Sequence, residues 1–270
     1  MRSEFGWDIM KRFSGIDQDC FSFQDILREY PNTHKVHLSK ILSGMVEKGM
    51  LIKLNRNIYH IVPVKMDAET YIPDWHLMAK YLMKAKEYYI GYYSAMQIHG
   101  LITQPSLKEI IVTDLQIKPS VKIIRGVEFQ FVYHTKARFF GYKSTWINQH
   151  EKVAVSELEK TIVDAVSKPD LCGGITEVGK AIYESRTKLD HQKLFDYLTR
   201  NGMQVAKKRY LFLSNLLGLE WSSYHESMMN NLGSGYPLLD TTGLNQGRWD
   251  SKFGIRINVD INTIKNAIYT

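Results

Sequence analysis

The sequence predicts an α+β protein, and three observations carry that prediction. Between Asn32 and Val62 an apolar stripe of helical period runs directly into two β-prone segments. Residues 107–155 are then dense in Ile, Val and Phe, the mark of a sheet. From Ser156 to Leu217 the helical period returns, so the C-terminal part is mostly helical.

In chain order, Trp7 to Phe13 can form a first helix with Ile9 or Met10 and Phe13 inward. Ser22, followed by Gln24 and Asp25, is a helix start, and Pro31 stops that helix to leave Pro31-Asn32 as a turn. A third helix is expected over 33–48 with Thr33 as its N-cap. Leu38, Ile41, Leu42, Met45 and Val46 make its buried stripe, while Thr33, Val36, His37, Lys40, Ser43 and Gly44 lie opposite. Gly49 closes it, because a residue without Cβ adopts the left-handed conformation found there. Met50–Leu54 and Ile58–Val62 are two strands joined by the polar tip Asn55-Arg56-Asn57.

That order of helix, helix, turn, helix, strand and strand is the sequence shape of a winged helix-turn-helix. The outward set is short, polar or cationic, and Gly44 lets a phosphate backbone pass close, as a helix lying in a major groove requires. The expected DNA contacts are Thr33, His34, Lys35, Val36, His37, Lys40 and Ser43 on the helix, with Lys53, Asn55, Arg56 and Asn57 on the wing. Glu47 would repel DNA, but it sits in the last turn, where a recognition helix leaves the groove. The competing reading is a winged helix used for protein contact or dimerisation alone.

The expected organisation is a winged-helix domain at 1–65, a linker and connecting helix at 66–85, and a larger mixed α/β domain at 86–270. Asp74 can cap a helix from Trp75 to about Lys84. Tyr88, Tyr89, Tyr92 and Tyr93 sit on a strand end and an amphipathic helix, where core packing explains them better than base stacking. His99, just before Gly100, reads as a helix-terminal group rather than a catalytic base.

Glu109–Thr113, Val121–Ile124 and Val127–His134 read as strands, and Trp146–Val155 adds more. Ser156-Glu157-Leu158-Glu159 has capping-box spacing before a helix that ends at Lys168-Pro169. Further helices are expected at 175–185, 190–200 and 205–217, then a loop and a strand near Gly254–Val259. Lys207-Lys208-Arg209 is the densest basic cluster, suited to phosphate or an acidic partner, or simply to a solvated helix face.

Composition bounds the rest. The 270-residue chain is 44% apolar, enough to fill real cores, and its net charge of +7 suits an anionic partner without settling it. Two distant cysteines, Cys20 and Cys172, imply neither a disulfide framework nor a zinc knuckle. With charges in Met1–Met10 and no run long enough to span a membrane, a cytoplasmic protein is expected. Glu159, Lys160 and Asp164 invite a metal-dependent nuclease reading, yet no strand carries an acid, one spacer and lysine after Asp170. Nor is there a Walker lysine, GxGxxG, GxSxG or HExxH. No catalytic residue, metal or cofactor is therefore expected.

Three segments, in order after the helix and wing, resemble the AbiEi family: Ser94-Ala95-Met96-Gln97-Ile98-His99-Gly100-Leu101, Val155-Ser156-Glu157-Leu158-Glu159-Lys160-Thr161-Ile162-Val163-Asp164, and Lys168-Pro169-Asp170-Leu171-Cys172-Gly173-Gly174-Ile175. The likeness runs over nearly the whole chain, is strongest from Tyr88 to Ala181, and includes Arg248-Trp249 and Ile257-Asn258. These are antitoxins and transcriptional regulators of abortive-infection, type IV toxin-antitoxin systems. The resemblance implies a bacterial protein whose winged helix binds inverted repeats in double-stranded DNA of its own promoter. It further implies a C-terminal domain that antagonises a nucleotidyltransferase-like toxin without a stable complex. It supplies no catalytic residues and no short antitoxicity motif. An effector-responsive winged-helix transcription factor, or a winged-helix nuclease, are the alternatives.

Overall fold

The structure, a computed structural model, describes residues 2–16, 18–84, 86–102, 104 and 106–269, without the side chains of Arg2 and Ser3. It is a mixed α+β protein whose residues fall into two compact units. One comprises Met1–Glu87, Lys122–Phe129 and Thr145–Val153; the other comprises Tyr88–Val121, Gln130–Ser144 and Ala154–Thr270.

In the first unit, α1 (Arg2–Ser14) leads into β1 (Cys20–Ser22), α2 (Phe23–Glu29), α3 (Lys35–Glu47), β2 (Leu51–Asn55), β3 (Ile58–Ile61) and α4 (Trp75–Met83). Ser22 starts α2 through a capping box, its hydroxyl accepting from Asp25 N–H while the Asp25 carboxylate accepts from Ser22 N–H. The strands form an antiparallel sheet in the order β1-β3-β2, with Cys20 opposite His60 and Lys53 opposite Tyr59. Ile9, Phe13, Phe21, Ile26, Leu38, Leu42 and Leu51 pack beneath it, and Phe13 stacks on Phe21 at 4.4 Å.

Two expectations are corrected here. The third helix begins at Lys35 with His34 at the N-cap, so Thr33 does not cap it. Strand β1 is not expected from the sequence, since three buried residues are too few to show a period. The stretch 66–84 falls within the first compact unit. Arg125 fixes its start by donating to the carbonyls of Ala68, Glu69 and Tyr71, and α4 is held by Lys80 and Tyr81 on Glu151.

The chain also forms a six-stranded sheet in the order β6-β7-β5-β4-β9-β8, of which β4 and β5 lie wholly within the second unit. Its strands are β4 (Tyr89–Ile90), β5 (Lys108–Thr113), β6 (Val121–Ile124), β7 (Val127–Tyr133), β8 (Tyr142–Trp146) and β9 (Lys152–Ser156). The sheet is mixed, because β4 runs antiparallel to β5 and parallel to β9. The helices are α5 (Tyr92–Ile98), α6 (Leu158–Ser167), α7 (Ile175–Ser185), α8 (His191–Asn201), α9 (Gln204–Leu216), α10 (Ser223–Met229) and α11 (Ile261–Ala267). A small hairpin, β10 (Arg248–Asp250) with β11 (Ile255–Ile257), lies before α11.

Helix α6 is buried from Glu159 to Ser167 on every face, so it is the central rod of this core. Its expected capping box does not form. Ser156 ends β9 and its hydroxyl bonds Thr161 Oγ1 at 2.7 Å, leaving Glu157 at the N-cap; Glu159 accepts instead from Asp190 N–H. Gly173 and Gly174 make the entry turn to α7 with φ of 78° and 94°. At Gly179 a Cβ would lie 2.8 Å from Ile264, so α7 and α11 pack at a distance only glycine allows. Among the described residues no helix is long and apolar enough to cross a membrane.

Candidate nucleic-acid interface

The side chains of α3 divide cleanly. Leu38, Ile41, Leu42 and Met45 are buried, whereas Lys35, Val36, His37, Lys40 and Ser43 are exposed, with Val36 at 60%. The helical spacing of the first set forces the second outward, onto one continuous strip that begins at exposed His34 and half-buried Thr33. Gly44 sits within that strip, and a Cβ placed there would meet nothing within 4 Å.

The hairpin after α3 carries the remaining predicted residues. Lys53, Asn55, Arg56 and Asn57 are all exposed at its tip. Asn55 Oδ1 accepts from Arg56 N–H at 2.7 Å and Asn57 carbonyl accepts from Phe23 N–H at 2.9 Å, so the tip is shaped by its own polar groups. A register shift between Lys53 and Asn55 twists β2 just before it.

The charges of this unit are distributed unevenly. Arg12 pairs with Glu29, Arg28 with Asp25 and Lys80 with Glu151. In contrast, Lys35, His37, Lys40, Lys53 and Arg56 have no side-chain partner among the described residues. Lys48 extends the basic strip, Glu47 is exposed beside it, and a depression of about 260 Å³ lined by Gly6, Trp7, Lys40, Gly44 and Lys48 borders it. Sequence pattern alone missed Trp7, because its proximity to Gly44 is tertiary.

The second predicted basic site is corrected. Lys208 is 1% exposed and donates to the carbonyls of Ser234 and Gly235; Arg209 is 2% exposed and donates to those of Val166, Ser167 and Leu238. Burial lowers Arg209 to about 10 against the opposing pull of Asp240. Both cations thus satisfy carbonyls at the C-terminal end of α6 and in the 234–238 loop, which sequence cannot reveal because those segments are distant along the chain. Only half-buried Lys207 of that trio still faces solvent.

The acids that suggested a nuclease are also engaged. Glu159 holds Asp190 N–H and Lys193, while Asp164 pairs with Lys160 and accepts from Tyr89 Oη at 2.9 Å. No group of three or more His, Cys, Asp or Glu among the described residues is placed to hold a metal ion. Tyr88, Tyr89 and Tyr92 are buried, and half-buried His99 donates through Nε2 to Ser156 carbonyl at 2.8 Å. Cys20 and Cys172 are free, buried thiols, each pushed up by that burial.

No protein-family model and no curated protein matches the chain. Among solved structures the fold is similar to the crystal structure of the RV2827C protein from Mycobacterium tuberculosis, with a TM-score of 0.68 and 11% identity over 97% of this chain and 94% of that one. At that identity the likeness shows a shared fold across both units and nothing about what the chain binds.

Proposed function

We propose that the first unit is a winged helix-turn-helix and that the chain is a DNA-binding repressor of its own operon. The single observation that carries this reading is the α3 strip, solvent-facing and cationic, with a wing tip of the same character beside it. Exposed cations gathered on one face without acid partners make a surface suited to a polyanion. In this reading His37, Lys40 and Ser43 enter the major groove, Gly44 lets the backbone close in, and Lys53 and Arg56 hold flanking phosphates. The resemblance to AbiEi antitoxins supports the second half of the proposal, antagonism of a nucleotidyltransferase-like toxin by the second unit without a stable complex.

The test is fluorescence anisotropy of the full chain on its own promoter duplex and on a scrambled duplex over a salt series. Preference for the promoter, lost in the Lys40→Ala/Arg56→Ala double variant, supports the reading; equal affinity for both duplexes overturns it. Toxin antagonism is read separately, as growth on co-expression with the adjacent gene. The double variant should still rescue growth.

A further inference from the structure

A second candidate site lies wholly within the second unit, around the start of α10. His225 stacks with Trp221 at 5.2 Å and with Tyr210 at 5.8 Å, and meets Phe195 edge-on at 4.8 Å, so its ring is held by aromatic neighbours on several sides. Ser222 N–H reaches His225 Nδ1 at 3.1 Å. A backbone N–H can only donate, hence Nδ1 carries the lone pair and the proton resides on Nε2. Burial, with His191 adding to it, holds this imidazole down to about 4, so the ring is neutral near pH 7.

Nε2–H is therefore a fixed donor. The residue is 1% exposed, and that nitrogen is buried without a partner among the described residues. Native proteins seldom leave such a donor unmet, and a ligand acceptor is one way to meet it. The ring also lines a pocket of about 410 Å³, shared with Tyr183, Arg186, His191, Tyr210 and Leu217. That volume lies in the range of small-molecule sites.

The lining has the chemistry of an anion site with an apolar floor. Arg186 lies flat on the Tyr183 ring at 3.7 Å and donates to Tyr183 carbonyl, which places an oriented cation at the rim. His191 adds an exposed imidazole, and Glu220 is the one acid lining the pocket. Leu189, Leu217 and Leu219 supply apolar wall.

We propose that this pocket binds a small organic anion, whose carboxylate or phosphate oxygens accept from His225 Nε2–H and Arg186 while its apolar body rests on Leu217 and Tyr210. The site is separate from the DNA-binding reading and stands without it.

Benzoate and AMP present the same anionic oxygens on different bodies, and Trp221, stacked on His225, reports occupancy by its fluorescence. In the full chain at least one of the two should change that fluorescence saturably in the millimolar range. Benzamide and inorganic phosphate should not, since one lacks the charge and the other the body. Trp221→Phe should remove the signal. Arg186→Ala, an exposed position, should weaken binding about tenfold, the loss of one charge-assisted hydrogen bond. His225→Phe, checked for cooperative unfolding, should abolish it. No saturable response to either anion up to about 10 mM, an equal response to benzamide, or binding unchanged by Arg186→Ala would overturn the proposal.

Discussion

Lys160 and Asp164 form an ion pair across one turn of α6 with side chains 0% and 1% exposed. The other carboxylate oxygen accepts from Tyr89 Oη, so His134 Nδ1, 3.1 Å from that hydroxyl, must be the donor to it. His134 Nε2 is left as acceptor for Tyr92 Oη at 2.7 Å. One chain of donors thus runs from Tyr92 through His134 and Tyr89 to the carboxylate that neutralises Lys160. Removing Asp164 strands a buried ammonium and the Tyr89 hydroxyl together. We expect Asp164→Ala to cost about 3–5 kcal/mol in urea unfolding, and Lys160→Met/Asp164→Leu to recover most of that. A loss below about 1 kcal/mol would show that the pair is not structural.

Arg209 separates a structural cation from a binding one. Arg209→Met leaves carbonyls of Val166, Ser167 and Leu238 without their donor, so a loss of about 3 kcal/mol or more is expected. Promoter affinity should not change. Lys207→Ala, by contrast, should shift stability by less than about 0.5 kcal/mol. Chemical denaturation and anisotropy on the same samples check both.

Two buried histidines set an acid limit on stability. Burial holds His134 and His225 down to about 4 from an ordinary 6.5, so between those values the unfolded chain binds more protons than the folded one. Stability is then complete above about pH 6.5 and falls as pH drops toward 4, by up to roughly 3 kcal/mol for each histidine. In His134→Gln/His225→Gln the pH dependence across that window should flatten. Unfolding midpoints at pH 7, 6, 5 and 4.5 give the measurement.

The elements of the first unit were legible wherever a period had room to show. Leu38, Ile41, Leu42 and Met45 are buried as their spacing predicts, and the strip opposite them is exposed. What stayed hidden depends on distant partners. Ser156 has the spacing of a cap, but Thr161 takes its hydroxyl; Lys208 and Arg209 look like a basic patch until the Ser234–Leu238 loop supplies their carbonyls. The His225 pocket is similarly unreadable, because Arg186, Tyr210 and Trp221 come from three separate stretches of chain.

Arg56 tests the proposed role of the β2–β3 hairpin as a wing. As an exposed cation at the tip, without a side-chain partner among the described residues, it should contribute to affinity through phosphate alone. Arg56→Ala should then weaken binding to promoter and scrambled duplexes alike and reduce the salt slope by about one. An altered base preference with an unchanged slope would place Arg56 on bases instead.

Gly44 gives the sharpest test of the proposed DNA contact by α3, because stability and binding should move in opposite directions. It lies inside a helix, where glycine costs roughly 0.5–1 kcal/mol relative to alanine, and a Cβ there meets nothing within 4 Å. Gly44→Ala should therefore stabilise the chain by about that amount. If the α3 backbone approaches a phosphate strand at this point, the same methyl intrudes on the interface and promoter affinity falls several-fold. The two effects are measured on one variant, by urea unfolding and by anisotropy. Greater stability with unchanged affinity would mean that DNA stays clear of the middle of α3, leaving contact to its first turn and the wing.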